Sequence, residues 1–151
     1  GAARDALRAE AAGMTNVVFV DMQPADRLPE VLAAADLHVV PLRRGLARSS
    51  VPSKLYSILA AGRPVVASVD AGTEVARTVA RAGAGIAVEP EDPESCAAAL
   101  RALLDAPATM EEMGAAGRRF VEGWASPAAG APAYETLFAE LRDLTKPGAS
   151  R

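Results

Sequence analysis

The stretch SSVPSKLYSILAAGRPVVA, residues 49–67, joins a hydroxyl-rich, basic turn to an apolar helical pattern and then to a short β-branched run. Leu55, Ile58 and Leu59 recur at helical spacing, which gives the segment one apolar face. Gly62 stands where such a helix would stop, and PVVAS (residues 64–68) is too short and too β-branched to begin another. A helix, a tight turn and a buried strand in that order make the second half of a βαβ unit.

The same alternation extends in both directions. VVFV (17–20), LHVV (37–40) and GIAVE (85–89) are further short apolar runs bounded by turn residues. Between them, Leu28, Val31, Leu32 and Ala35 form one helical face, and Val75, Val79 and Ala82 another. The strands are apolar throughout rather than alternating, so both sheet faces should be covered. The expectation is an α/β fold, a Rossmann-like parallel sheet of four strands with helices on both faces.

Helix boundaries agree with this reading. Thr73-Glu74 after Gly72 and Asp92-Pro93 suit helix starts, while Gly62 and Gly83 suit stops. After Leu104 two helical stretches are expected, about Met110 to Trp124 and Tyr134 to Leu144, separated by the SPAAGAP segment and followed by a frayed KPGASR tail. Met110 and Met113 read as packing residues, and Trp124 and Tyr134 as anchors of the last helices. The opening GAARDALRAEAAG is a loop and an amphipathic helix without the strand that normally starts a doubly wound unit, so the chain reads as a piece of a longer protein.

At 151 residues there is room for one core. The expected division is a unit over residues 1–125 that lacks its first strand, then a C-terminal helix and tail over 126–151. Half of the residues are hydrophobic and only 4% aromatic, which fits a helix-rich α/β protein. Cys96 is the single cysteine, so no internal disulfide or thiolate metal cluster can form. With no bilayer-length apolar run and no signal-peptide pattern, a cytoplasmic location follows as the expectation.

A net charge of −3 disfavours a general nucleic-acid binder. Its distribution is uneven. From Asp36 to Asp70 there is no intervening acid, while Arg43, Arg44, Arg48, Lys54 and Arg63 supply five cations, which leaves −8 for the rest. Ligands of open α/β sheets bind at the carboxyl ends of strands, where loops run into helix starts. Here Ser49 or Ser50 can cap the helix, Pro52 fits its first turn, and the N–H groups of Ser53 and Lys54 can face an anion near the positive end of the dipole. Lys54 adds a full charge and Ser53 a hydroxyl, a combination suited to a diphosphate. Neither GxxxxGK[ST] nor GxGxxG is present, so the common ATP and NAD loops do not apply. His38, inside an apolar run, reads as a hydrogen-bonded structural histidine.

These residues carry a resemblance. VPSKLYSILAAGRPVVAS, with NVVFV, VLAAADLHVVPL, AGTEV and GIAVEPEDPESCAAALRALL, resembles the donor-nucleotide half of retaining GT-B glycosyltransferases of the family 4 type, over about residues 15–125. The likeness is strongest to bacterial members of cell-surface polysaccharide or glycolipid assembly. It implies transfer of a sugar from a nucleotide diphosphate to an acceptor hydroxyl with retention, with no cofactor and no essential metal. It also implies an acceptor domain elsewhere in the same polypeptide, no nucleic-acid partner, and peripheral contact with the inner membrane face through the full protein.

In the family, two glutamates with seven residues between them hold the donor sugar and the ribose. Aligned through Gly62 and Pro64, they fall on Ser49 and Ser57. The diphosphate turn matches Val51, Pro52, Ser53 and Lys54, with Pro52 in place of a glycine. The resemblance thus assigns the diphosphate to Ser53 and Lys54, with Lys54 as the catalytic cation, and places Ser49 and Ser57 nearer sugar and ribose, with Ser50 among the donor-binding residues. Arg43, Arg44 and Arg48 would be auxiliary cations. Glu74 either faces the nucleotide or belongs to its helix start. A nucleotide-sugar epimerase of similar fold and a degenerate, non-catalytic binding domain are the alternatives.

Overall fold

The computed structural model describes residues 3–46 and 51–144. Its elements are α1 (Arg4–Glu10), a 3-10 turn (Ala25–Arg27), α2 (Leu28–Ala33), β1 (His38–Pro41), α3 (Lys54–Ala60), β2 (Val65–Ser68), α4 (Glu74–Ala82), β3 (Gly85–Val88), α5 (Pro93–Leu104), α6 (Pro107–Trp124) and α7 (Pro127–Leu144). The three strands form one parallel sheet in the order β1-β2-β3, with His38 opposite Val65 and Val65 opposite Gly85. Parallel neighbours cannot be joined by a hairpin, so α3 and α4 serve as the crossovers.

β2 is buried along its whole length and divides the core in two. Val65 and Ala67 face Leu55, Ile58 and Leu59 of α3 and Val75, Val79 and Ala82 of α4. Val66 faces Ala99 and Leu103 of α5, with Met110 and Met113 of α6 packed alongside. Each of these Leu and Val side chains contributes about 1.5–3 kcal/mol by leaving water. The helical faces over residues 55–59 and 75–82 and the strands over 37–40, 64–68 and 85–89 therefore appear where the periodicity placed them.

Helix ends follow local chemistry. Thr73 Oγ1 accepts from the Ala76 N–H and donates to the Asp70 carbonyl at 2.7 Å. Asp92 accepts from both the N–H (3.0 Å) and the hydroxyl (2.6 Å) of Ser95. Gly62 (φ +70°) and Gly83 (φ +58°) take the left-handed conformation that ends α3 and α4.

Three expectations are corrected. VVFV (17–20) is not a strand: Val18 is 81% and Val20 69% exposed, and the sheet has three strands rather than four. A strand needs a neighbour for its N–H and C=O groups, and β1 pairs only with β2 among the described residues. For the same reason α2, which follows that run, buries no residue, and Leu28 and Val31 remain half-exposed. SPAAGAP is not a break either, because α7 begins at Pro127 and continues through Pro132. The Ser126 hydroxyl accepts from the Ala129 N–H at 3.1 Å, and the alanine-rich turn that follows outweighs the bond lost at Pro132. Among the described residues, no helix is long and apolar enough to cross a membrane.

Candidate functional site at the carboxyl edge of the sheet

Parallel register brings three loops together. Pro41, Ser68 and Val88 are neighbours across the sheet, so the chain leaves β1, β2 and β3 at one edge. The turn singled out in the sequence follows the first of these exits. Val51, Ser53 and Lys54 are exposed and Pro52 is half-buried. Ser49, Ser50 and Arg48 lie outside the described residues. The helix starts at Lys54 with Ser53 at the N-cap position, and the expected capping by Ser49 or Ser50 falls on residues outside those described. Ser53 is already helical (φ −56°, ψ −26°), its hydroxyl makes no capping bond, and the Pro52 carbonyl accepts from the Leu55 N–H at 3.0 Å. The helix is anchored by Leu55, which is fully buried.

Lys54 projects from this start with no ion pair or hydrogen bond among the described residues. Ser57, one turn on, is half-buried and lines a cavity of about 480 Å³ between α2 and α3, with Leu28, Pro29, Leu32 and Arg118. Tyr56 stacks at 6.0 Å on Trp124, which also meets Phe120 at 5.6 Å. Trp124 thus ties the end of α6 to α3. Tyr134, by contrast, is exposed and, among the described residues, stacks only on Phe138 of its own helix, at 6.2 Å.

Glu74 is not the cap of α4, since Thr73 fills that place. Its carboxylate accepts from Arg81 (3.0 Å), Arg77 (3.3 Å) and the Thr78 hydroxyl (3.3 Å), all on the same helix. His38 Nε2 lies 2.9 Å from the Leu32 carbonyl, the structural hydrogen bond expected of it.

The basic window is not a free field of cations in space. The Arg44 guanidinium donates to the Pro90 carbonyl at 2.9 Å and pairs with Glu89 (3.5 Å) and Glu91 (3.8 Å). The Arg44 N–H also donates to Glu91 at 3.4 Å, and the Gly45 N–H donates to Asp70 at 2.7 Å. Arg44 is therefore paired with the β3–α5 loop. Arg43 instead lines a largely apolar pocket of about 350 Å³ at this edge, beside Pro41, Ser68 and Cys96. Asp70, Glu89 and Glu91 were not singled out from the sequence. The signal was the acid-rich EPEDPE after GIAV, but its meaning depended on which strand ends lie side by side.

Residues 1–106 match the family of glycosyl transferases group 1. The chain belongs to that family. A protein of Escherichia coli K12 named "Putative colanic acid biosynthesis glycosyl transferase WcaI" is 37% identical over 105 residues, 69% of this chain and 26% of that protein. A Pseudomonas aeruginosa protein named "Probable glycosyltransferase WbjE" is 38% identical over 66 residues, 44% of this chain and 16% of its own length. The solved sucrose-phosphate synthase of Thermosynechococcus elongatus superposes with a TM-score of 0.77 at 26% identity, over 95% of this chain and 35% of that one. The chain thus spans about a quarter of the Escherichia coli relative. The expected GT-B, family 4-like glycosyltransferase domain is what the group 1 chain forms.

Proposed function

We propose that this domain binds the nucleoside diphosphate of a sugar donor at the turn over residues 51–54, and that in the longer protein it serves transfer of the sugar to an acceptor hydroxyl with retention. The observation that carries the reading is Lys54. In a chain of this family it is the first residue of the helix that follows the carboxyl end of β1, and no described carboxylate neutralises it. When the glycosidic bond breaks, charge develops on the leaving diphosphate, and a cation already in place stabilises it without reorganisation. Ser53 adds a hydroxyl, and Val51 and Pro52 bring the backbone close.

Ser49 is assigned to the sugar and Ser50 to donor binding by the family resemblance, both outside the described residues. Ser57 takes the ribose side, where the apolar cavity between α2 and α3 offers room for a base. Residues 1–125 are the donor unit, with the C-terminal helix and tail (126–151) as its appendage. The acceptor domain belongs to the rest of the polypeptide, and the full enzyme works on cell-surface polysaccharide at the cytoplasmic face of the membrane. The relative named for colanic acid biosynthesis supports that last step. No metal or cofactor is assigned a part.

Calorimetric and NMR titration of the chain with UDP, GDP and ADP tests the reading. The expected result is perturbation around residues 49–57 by at least one nucleotide. Lys54→Ala should weaken that binding by roughly 10- to 100-fold, the range for a hydrogen bond to a charged group. Silence in that region with all three nucleotides refutes the site. The serines in place of two glutamates favour a second reading, a nucleotide-binding domain without transfer. Unchanged sugar transfer by a Lys54→Ala form of the longer protein would remove Lys54 from catalysis.

A further inference from the structure

We propose that Arg44 and Asp70 are positioning residues, which with Glu89 and Glu91 latch the loop after β1 to its two neighbours and so set where the turn over 51–54 presents Lys54. The inference rests on the donor site proposed above. Its basis is the register: Pro41, Ser68 and Val88 are adjacent. Arg44 lies three residues past the first exit, Asp70 two past the second, and Glu89 to Glu91 immediately past the third.

Four contacts converge on Arg44. Its guanidinium meets the Pro90 carbonyl (2.9 Å), Glu89 (3.5 Å) and Glu91 (3.8 Å), while its N–H meets Glu91 at 3.4 Å. The neighbouring Gly45 N–H donates to Asp70 at 2.7 Å, and Asp70 in turn offers its carbonyl to Thr73. Glu91 takes a left-handed φ of +62°, the one non-glycine with positive φ among the described residues, at the point where chain and carboxylate both face Arg44. Of the described residues between β1 and α3, Arg44 and Gly45 are held by charge, and Leu55 of α3 is held by the core.

Single exposed ion pairs contribute little, but here two of them, at 3.5 and 3.8 Å, act on one guanidinium that also donates to the Pro90 carbonyl, and a charge-assisted backbone bond lies beside it. An anion at Arg44 would stand beside two carboxylates. Lys54 has no such competitor among the described residues. Arg44 therefore acts on the donor through loop position, not by contact.

The test compares the parent chain with Arg44→Gln, Asp70→Asn, Arg44→Lys and Lys54→Ala by amide hydrogen exchange, thermal midpoint, and calorimetric titration with UDP, GDP and ADP. Arg44→Gln and Asp70→Asn should each speed exchange at residues 51–55 by roughly two- to five-fold, the scale of a surface ionic network, with the thermal midpoint unchanged. Nucleotide affinity should fall by a similar factor and show a weaker salt-dependent component, and Arg44→Lys should recover part of both. If exchange at 51–55 matches the parent in both variants, the latch is refuted. If Lys54→Ala binds nucleotide like the parent, the donor site fails instead, and exchange at 51–55 still decides the latch.

Discussion

Among single residues, glycine at close backbone approaches matters more than any charged group. A Cβ on Gly114 of α6 would lie 2.2 Å from the Gly62 carbonyl, which closes the turn between α3 and β2. No rotamer relieves a clash with backbone, so Gly114→Ala should cost roughly 1–3 kcal/mol, read as a lower urea midpoint. Gly130 of α7 has nothing within 4 Å of its would-be Cβ, and Gly130→Ala should be neutral or stabilising by about 0.5–1 kcal/mol. Equal effects at the two sites would disprove the packing argument. Gly62 was legible as a helix stop because its role is local. Gly114 was not, since it reads as a weak helix former and its reason lies about fifty residues away in the chain.

Individual elements are set by their caps, and the two best capped helices should respond differently to acid. The bonds from the Ser95 hydroxyl and N–H hold the Asp92 carboxyl below its ordinary value of 3.8. A group whose pKa is depressed by folding stabilises above its unfolded pKa, and that contribution is lost as pH falls through the folded value. The stability gap between the parent and Asp92→Ala should thus be full at neutral pH and shrink on acidification below the carboxylate range, as measured by urea denaturation. The Thr73 hydroxyl does not titrate, so Thr73→Ala should cost about 1 kcal/mol at either pH. A pH-independent gap at Asp92 would mean that its charge has no part in the cap. Both caps were readable as Thr73-Glu74 and Asp92-Pro93. At the start of α3, Ser53 precedes the first helical residue without a capping bond from its own hydroxyl.

For the molecule as a whole, the core lies around β2, and the run over residues 17–20 stands outside it. Leu59, fully buried against the sheet, should cost 2–5 kcal/mol as Leu59→Ala, whereas Val18→Asp should shift the denaturation midpoint by less than about 0.5 kcal/mol. A large loss at Val18 would contradict the three-stranded sheet. Apolar periodicity and helix stops are short-range properties, and the sequence by itself therefore determined the order of helices and strands from residue 37 to Leu104, the caps at Thr73 and Asp92, and the resemblance that the family match then bore out, although only β2 of those strands is buried along its length. Strand pairing and charge neutralisation depend on which segments lie side by side. Only the tertiary structure decided that VVFV finds no partner among the described residues and that Arg44 meets acids 45 to 47 positions away, whereas Lys54 and Arg43 have no described side-chain partner.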